Sequence, residues 1–260
     1  MLLVARRCSS LVGSVWPARS VPPGGPAAAM RKEPCCRVLP LPGRPEDWAE
    51  VLKTAAGVLH EGGVIGVPTD TIYGIACLAQ DSRAIKGIYH MKERNGGKPL
   101  AICVREIQDI YRYCRVHVPD RLLQDLLPGP VTLVLERSEA LSKDLNPFTP
   151  LVGVRIPNHL FVQQLAQACS GPLALTSANV SCHGSTLTVQ EFQDLWPQLS
   201  LVIDGGPIGD DSSSVCRLGS TVIDLSVCGN YTVIRPGCAL IPTLKILEKY
   251  GLTPNSQQDA

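Results

Sequence analysis

The sequence predicts one α/β domain: a twisted, mixed parallel and antiparallel sheet surrounded by helices. Its 260 residues are 45% hydrophobic, which is enough for a single domain with a substantial core. Apolar runs of strand length and segments of helical periodicity follow one another without strict alternation, which argues against a purely parallel sheet. The runs at 220–226 and 231–237 are close enough to form a hairpin through Cys228-Gly229-Asn230.

Regular structure is expected to begin at Glu46. Apolar residues recur at helical spacing from Trp48 to Leu59, and Gly62-Gly63 ends that helix. The next run, 64–67, is typical of a buried strand. The same criteria predict strands at 100–104, 131–137, 151–157, 173–178 and 201–204, and helices at 82–92, 106–114, 120–127, 159–169 and 189–196. The domain itself is expected to span 46–241, followed over 242–260 by a closing helix (242–250) and a polar tail.

Residues 1–45 are predicted to be a transit peptide followed by a Pro/Gly-rich linker. The first 32 residues contain five Arg or Lys residues, several serines and no acidic residue, which is typical of a mitochondrial import signal. A disordered leader without a targeting role is the alternative. Met30 could start a second, cytosolic form, so the mitochondrion and the cytoplasm are both expected. No apolar run approaches the roughly 18 residues of a transmembrane helix.

Composition limits the classes of partner and cofactor. The formal net charge is +1 and aromatic residues make up 5%, so any basic patch for nucleic acid must be local and stacking platforms are few. The eleven cysteines include no Cys-x-x-Cys pair, and Cys182-His183 has no second pair nearby to complete a zinc site. Most are interpreted as small buried hydrophobic residues in a protein from a reducing compartment.

Two polar segments indicate complementary parts of one site. Pro68-Thr69-Asp70-Thr71 follows the strand at 64–67 and could hold a small polar substrate, although a capped turn explains it equally well. Further along, Lys92, Arg94 and Lys98 surround a Gly-Gly turn and could hold a phosphate chain. These cations could instead complement a helix dipole, and no Walker-type motif is present. Together the two segments suggest an enzyme that joins a small molecule to a nucleotide.

Two further features place polar groups on predicted strands. Ser177 and Asn179 lie two residues apart where a strand ends, and so point the same way in an extended chain, unless they form a cap or turn. Arg155 and Arg235 interrupt apolar strands, where a guanidinium must be paired. A carboxylate or phosphate ligand could pair with them, and so could structural salt bridges to Asp204 or Asp224.

These residues belong to a set of motifs that resembles the YrdC-type threonylcarbamoyl-AMP synthase family. Eight strings occur in the family's order across about residues 46–237: VPTDTIYG, MKERNGGKPLAI, LLPGPVTLVLER, VGVRIP, LTSAN, IDGG, GSTVIDL and IRPG. The resemblance implies a YrdC-like domain with a basic concave face. It implies the conversion of ATP, bicarbonate and L-threonine to threonylcarbamoyl-AMP and pyrophosphate, with Mg2+ carried by ATP and no metal held in a protein cage. A separate transferase machinery would then modify tRNA.

The resemblance also implies roles for individual residues. On the threonine side it implies Thr69, Arg155, Leu175 and Ser220, and on the ATP side Lys92, Arg94, Thr132, Ser177 and Arg235. Lys92, Arg94, Ser177 and Asn179 form the family's characteristic catalytic set. The chain has Cys103 where archaeal relatives have His, so the resemblance assigns no side-chain role to this position. The chain shows no counterpart of the C-terminal extension of two-domain relatives, so site closure is expected to come from elsewhere.

Two alternative functions follow from the same resemblance. The family is linked to double-stranded RNA binding, so the same concave face could contact tRNA or double-stranded RNA in a non-catalytic module. A related domain occurs in carbamoyltransferases that use carbamoyl phosphate, but the acylphosphatase-like and zinc-finger segments that accompany it have no match here.

Overall fold

The fold is built on one mixed sheet, and this confirms the predicted class. The computed structural model describes residues 36–92, 98–179, 184–209 and 217–255. Within them the sheet order is β1-β9-β2-β3-β8-β4-β7-β6-β10-β11-β12, with β5 paired to β6. The strands are β1 Arg37–Pro40, β2 Ile65–Val67, β3 Gly74–Leu78, β4 Ala101–Cys103, β5 Cys114–Arg115, β6 Val131–Arg137, β7 Leu151–Arg155, β8 Leu173–Ser177, β9 Leu201–Asp204, β10 Thr221–Asp224, β11 Asn230–Arg235 and β12 Thr253–Pro254.

Six α-helices are described, and each of them falls within two or three residues of a segment predicted from apolar periodicity. They are α1 Ala49–His60, α2 Ser82–Met91, α3 Ile107–Tyr113, α4 Asp120–Leu126, α5 Leu160–Ala168 and α6 Leu240–Lys249. The side chain of Asp81 caps α2 by accepting from the backbone N–H groups of Arg83 and Ala84. None of the helices in the described part of the chain has the length and apolarity needed to cross a membrane.

The two faces of the sheet are covered to different extents. On one face, a continuous row of side chains that includes Cys77, Ala174 and Ile102 packs in a core cluster with residues of α2, α3, α4 and α6. On the other face, α1 and α5 pack together over β2, β3, β8 and β9, where the rings of Trp48 and Phe161 meet edge to face at 5.7 Å. A cavity lies on that face beside β6, β7, β10 and β11, and the described residues that line it include none from α1 or α5.

Three element predictions are corrected. The end of the segment 1–45 was expected to be a Pro/Gly-rich linker, yet Arg37–Pro40 forms an edge strand that pairs in parallel with β9. The alternative interpretation of the VPTDTIYG segment was a capped turn, as between a strand and a helix, but the segment is a turn between the antiparallel strands β2 and β3. The helix expected at 189–196 is a pair of 3₁₀ turns over Val189–Gln198, with a kink at Phe192 and a proline near the end. Residues 1–35, and with them the predicted transit peptide, lie outside the described residues.

The hairpin formed by β10 and β11, late in the chain, was predicted correctly. β10 and β11 pair antiparallel, and Gly229 in the turn has a φ of 78°, a left-handed conformation that glycine adopts without strain. β10 also pairs in parallel with β6, so the hairpin extends the sheet beside the cavity. The closing helix is α6, and the segment after it adds the short strand β12 rather than only a polar tail.

Candidate active site

A cavity of about 560 Å³ lies over the strands β4, β7, β6 and β10. This volume is within the range of small-molecule sites, about 300–1,000 Å³. The turn after β2 and the ends of β8 and β11 complete its walls. Seven of the residues that the family resemblance assigned to the site line it: Thr69, Thr132, Arg155, Leu175, Ser177, Ser220 and Arg235. The cavity therefore brings together residues that are up to 166 positions apart in the sequence (235 minus 69).

Small residues form the floor of the cavity. Ala101 of β4 pairs with Gly153 of β7, so the two lie side by side on the same face of the sheet as Arg155. A Cβ atom added to Gly153 would lie 3.0 Å from Cγ2 of Thr132 and 3.3 Å from Cβ of Ala101. These approaches are tighter than ordinary van der Waals contact, so glycine keeps the floor flat and the cavity open.

The turn after β2 is organised by the hydroxyl of Thr69. It accepts hydrogen bonds from the backbone N–H groups of Thr71 at 3.2 Å and Ile72 at 3.3 Å, and it donates to the carbonyl of Ile72 at 2.7 Å. A threonine hydroxyl that bonds its own turn in this way stabilises the turn locally. Thr69 is 2% exposed and lines the cavity, but its hydroxyl proton is already used within the turn.

Arg155 ends β7 with its guanidinium buried beside this turn. Its Nη2 donates to a carboxylate oxygen of Asp70 at 2.5 Å and to the hydroxyl of Thr71 at 2.6 Å. The side chains of Arg155 and Asp70 are 7% and 10% exposed, so this is a buried ion pair. The salt bridges considered from the sequence, to Asp204 or Asp224, are wrong, because the carboxylate that pairs with Arg155 is that of Asp70.

A second network surrounds Ser220, next to β10. The hydroxyls of Ser220 and Thr132 lie 2.8 Å apart, and Nη2 of Arg235 donates to the carbonyl of Ser220 at 2.8 Å and to its hydroxyl at 3.2 Å. The sequence assigned Ser220 to the amino acid and Thr132 and Arg235 to the nucleotide. The structure places all three in contact, so the two sides of the predicted site adjoin at Ser220.

Two guanidiniums, those of Arg155 and Arg235, face the same cavity. Burial lowers the pKa of Arg235 from its ordinary value, and the positive charge of Arg155 lowers it further. The second effect means that the two guanidiniums are close enough to repel each other. An anion placed between them would relieve this repulsion and accept their hydrogen bonds. The cavity is therefore suited to a ligand that carries negative charge.

Lys92 lies at the end of α2 and is 1% exposed. Its ammonium donates to the carbonyl of Ser177 at 2.8 Å, to the side-chain oxygen of Asn179 at 3.0 Å and to the carbonyl of Asn179. The Ser177 hydroxyl also donates to the side-chain oxygen of Asn179, at 2.5 Å. Three of the four residues of the predicted catalytic set thus contact one another at the end of β8.

The predicted ATP contacts of this set stay predictions. Lys92 and Asn179 are not among the described residues that line the cavity, whereas Ser177 is. Arg94 lies outside the described residues. Lys98, the third cation of the predicted phosphate site, lines the cavity next to Leu100 and Ala101.

Some cavity residues were not singled out from the sequence. Gly153 and Ala101 form the floor, and Ile234, although 53% exposed, forms part of the wall beside Arg235. Strand alternation could have identified Gly153, because it lies two residues before Arg155 and so on the same face. Ala101 had no such signal, because its position depends on the pairing of β4 with β7.

The described residues contain no cluster of three or more His, Cys, Asp or Glu side chains that could hold a metal ion. The described residues that line the cavity include arginines, a lysine and hydroxyl groups but no carboxylate. Such a lining is suited to the oxygens of an anionic ligand rather than to a metal cation.

Comparisons with known proteins identify relatives of this chain. Residues 57–237 match the model of the family Sua5_yciO_yrdC, which is described as "Telomere recombination". The chain is 60% identical over 243 residues to a threonylcarbamoyl-AMP synthase of Homo sapiens, with 90% of this chain and 86% of the human protein covered. It is 32% identical over 200 residues to a threonylcarbamoyl-AMP synthase of Pyrococcus abyssi, which covers 75% of this chain and 55% of the archaeal protein.

Two solved structures share the fold. The structure of P. abyssi Sua5 complexed with L-threonine superposes with a TM-score of 0.72 at 28% identity, covering 84% of this chain and 62% of that one. E. coli YciO superposes with a TM-score of 0.68 at 25% identity, covering 78% of this chain and 96% of that one. This chain therefore spans less than two thirds of the Sua5 chain and almost all of YciO.

Proposed function

The chain belongs to the Sua5/YciO/YrdC family, and from that premise and the chemistry of the cavity we propose that it is a threonylcarbamoyl-AMP synthase. It converts L-threonine, bicarbonate and ATP to threonylcarbamoyl-AMP and pyrophosphate, the first step of a tRNA modification. The observation that carries this proposal is the convergence of Arg155, Arg235 and the hydroxyls of Thr132, Ser177 and Ser220 on one cavity of suitable size.

The threonine carboxylate binds at Arg155. Nη2 of this arginine is engaged by Asp70 and Thr71, whereas its buried Nε has no hydrogen-bond partner among the described residues. A buried donor without a partner is costly, by about 1–3 kcal/mol, so it favours an anionic ligand. The Sua5 relative binds L-threonine, which supports the same class of ligand here.

The nucleotide binds on the Arg235 side of the cavity. Arg235 and Lys98 supply positive charge for the phosphates, and Thr132 and Ser177 supply hydroxyl groups. By the family resemblance, Arg94 also belongs to the residues that bind the phosphates. Mg2+ enters with ATP: the described cavity-lining residues offer it no carboxylate, so the phosphates and water supply its ligands.

The chemistry needs positioning and charge neutralisation rather than a covalent nucleophile. The neutral threonine amine forms a C–N bond to the carbon of bicarbonate and gives a carbamate, while one C–O bond of bicarbonate breaks and water leaves. With CO2, one C=O π bond opens and the nitrogen releases a proton to solvent. A carbamate oxygen then bonds to the α-phosphorus while the bond from that phosphorus to the bridging oxygen breaks, and pyrophosphate leaves. Arg155 holds the amino acid, and Arg235 and Lys98 stabilise the negative charge that shifts to the leaving phosphates.

Lys92 contributes indirectly in this scheme. Because it donates to Ser177 and Asn179, it fixes the end of β8, from which the Ser177 hydroxyl reaches the cavity. Contact between Lys92 and a phosphate would require exchange of at least one of these hydrogen bonds. We place its main role in holding this strand end.

Direct detection of the product tests the proposal. The purified protein is incubated with ATP, L-threonine and ¹³C-bicarbonate, and threonylcarbamoyl-AMP is sought by mass spectrometry. We expect a product that carries one ¹³C and depends on all three substrates. Asp224→Asn serves as a control variant and should still make the labelled product. The Asp224 carboxylate accepts a hydrogen bond from the backbone N–H of Ser226, outside the cavity. Absence of labelled product from the folded wild-type protein would refute the proposal.

We further propose that the protein acts in both the mitochondrion and the cytoplasm and passes its product to a tRNA threonylcarbamoyltransferase. The composition of the first 32 residues supports the mitochondrial address, and Met30 supplies a start for the cytoplasmic form. A chain that starts at Met30 should keep synthase activity and lose import. Accumulation of that shortened form in mitochondria would contradict this address.

A further inference from the structure

We propose that Asp70 and Thr71 are positioning residues that hold the Arg155 guanidinium in the orientation that binds the substrate carboxylate. This inference rests on the proposed function, and it assigns to Asp70 a task other than contact with the substrate. It concerns the geometry of three residues: Arg155 at the end of β7, and Asp70 and Thr71 in the turn between β2 and β3.

The carboxylate of Asp70 is engaged on both oxygens. One accepts from Nη2 of Arg155 at 2.5 Å, and the other accepts from the backbone N–H of Asn158 at 2.9 Å. Asn158 lies three residues after Arg155, so Asp70 binds the guanidinium and also the chain that leaves the same strand. A carboxylate held in this way keeps the arginine in one position, and both of its oxygens are already engaged within the protein.

The hydroxyl of Thr71 binds the same nitrogen and lies against the hydroxyl of Thr69. An arginine can only donate, so Thr71 accepts from Nη2 at 2.6 Å, and its Oγ1 lies 3.3 Å from Oγ1 of Thr69. Thr69 in turn donates to the carbonyl of Ile72 at 2.7 Å. These contacts tie the arginine to the backbone of the turn.

The free edge of the guanidinium is the edge that would bind the ligand. Arg155 is 5% exposed and lines the cavity, and its Nε is buried without a hydrogen-bond partner among the described residues. Both N–H bonds of Nη2 are used, one by Asp70 and one by Thr71, so on this edge the Nε–H is the donor that has no partner among the described residues. A hydrogen bond from Nε to the carboxylate of an α-amino acid demands the right rotation of the planar group, and Asp70 and Thr71 fix that rotation.

Steady-state kinetics test this role. Asp70→Asn keeps the size of the side chain, but one of the two engaged oxygens becomes an amide that cannot accept, and Thr71→Val removes the hydroxyl. We expect each variant to raise the KM for L-threonine about tenfold or more, as loss of a hydrogen bond to a charged group does. The KM for ATP should change less than twofold. Thr71→Ser should restore the wild-type value, and Asp224→Asn, the same chemical change outside the cavity, should leave both constants unchanged.

A double-mutant cycle separates positioning from general damage. In an Arg155→Lys background the planar fork is already lost, so adding Asp70→Asn should raise the threonine KM by less than threefold further. Full additivity of the two effects, or an equal rise in the KM values of both substrates, would overturn the proposal.

A measurement that does not depend on catalysis distinguishes failure of this inference from failure of the proposed function. The ¹⁵N NMR signal of the Arg155 side chain reports rotation of the guanidinium. It is assigned as the signal that is missing from the spectrum of Arg155→Lys. We expect restricted rotation in the wild-type protein and faster rotation in Asp70→Asn and Thr71→Val. Equal rotation in all three would overturn the positioning role even if threonylcarbamoyl-AMP is made. Restricted rotation in a wild-type protein that makes no product would support it while the proposed function fails.

Discussion

Lys92 and Asn179 are joined by two hydrogen bonds, because the lysine ammonium donates to both the carbonyl oxygen and the side-chain oxygen of Asn179. The two residues are 87 positions apart, and Lys92 also binds the carbonyl of Ser177. A buried ammonium thus connects the end of α2 to the end of β8. This contact ties the stability of the domain to the geometry of the cavity.

Lys92→Met should therefore impair both stability and activity. The substitution keeps a long side chain but removes the ammonium that donates to three oxygens, and we expect the free energy of unfolding to fall by about 1.5–3 kcal/mol. Urea denaturation measures this, with Lys53→Met on the exposed face of α1 as the matched control. If Lys92→Met were as stable as the wild type and lost only kcat, the ammonium would belong on the substrate phosphates instead.

Two glycine-to-alanine substitutions should have opposite effects. Gly57 is an exposed residue within α1 with no atom within 4 Å of an added Cβ, so Gly57→Ala should stabilise the protein by about 0.5–1 kcal/mol. At Gly153 the added Cβ would lie 3.0 Å from Thr132, in the cavity floor, so Gly153→Ala should destabilise it and raise the KM of the substrates. Thermal unfolding and kinetics of the two variants check this. Unchanged KM values of the substrates for Gly153→Ala would contradict the assignment of Gly153 to the floor of the cavity.

Buried thiols should make the protein less stable at alkaline pH. Burial raises the pKa of Cys77, Cys103 and Cys114 to about 12, from an ordinary value of 9.0. These thiols stay protonated in the native state while those of the unfolded chain ionise, so their stabilisation is complete below pH 9 and is lost as the pH rises towards 12. Between pH 8 and pH 10 each thiol should lower the free energy of unfolding by about 1 kcal/mol.

Urea denaturation at pH 8, 9 and 10 measures this dependence. Burial also raises the pKa of Tyr73 to about 12, so this phenol adds to the slope above pH 10. Cys77→Ala provides the matched comparison, because it removes one titrating group. In this variant the free energy of unfolding should fall less steeply with pH, by the contribution of one thiol. An identical slope in wild type and Cys77→Ala would show that the thiol ionises equally in both states.

The amino-acid substrate should be selected by its hydroxyl group. Ser220, which the family resemblance assigns to the threonine side, offers a hydroxyl in the cavity, so threonine should be preferred by a factor of about 10⁴ over valine, its near-isostere without a hydroxyl. Serine should compete better, because it lacks only a methyl group worth about 1 kcal/mol of burial. Pyrophosphate release with the three amino acids at equal concentration gives the order. Faster turnover of valine than of serine would show that the cavity does not bind the hydroxyl of the substrate in this way.

Local periodicity was sufficient for most elements of the fold. Strands such as β6 and β9 and helices such as α2 and α5 could be predicted because the spacing of apolar residues records which face each element buries. The same alternation placed Ser177 and Asn179 at a strand end. The predicted class and the family resemblance, which rested on motif order, are both confirmed.

Long-range pairing determined what the sequence pattern could not show. β1 is a strand because it pairs with β9, more than 160 residues later, and β3 because it lies between β2 and β8. Periodicity gives the face of a residue but not its neighbour in the sheet, so Asp204 and Asp224 were equally reasonable partners for Arg155. The sequence determined that this buried arginine needed a counterion. Only the tertiary structure decided on Asp70, since sheet order brings the turn after β2 to the end of β7.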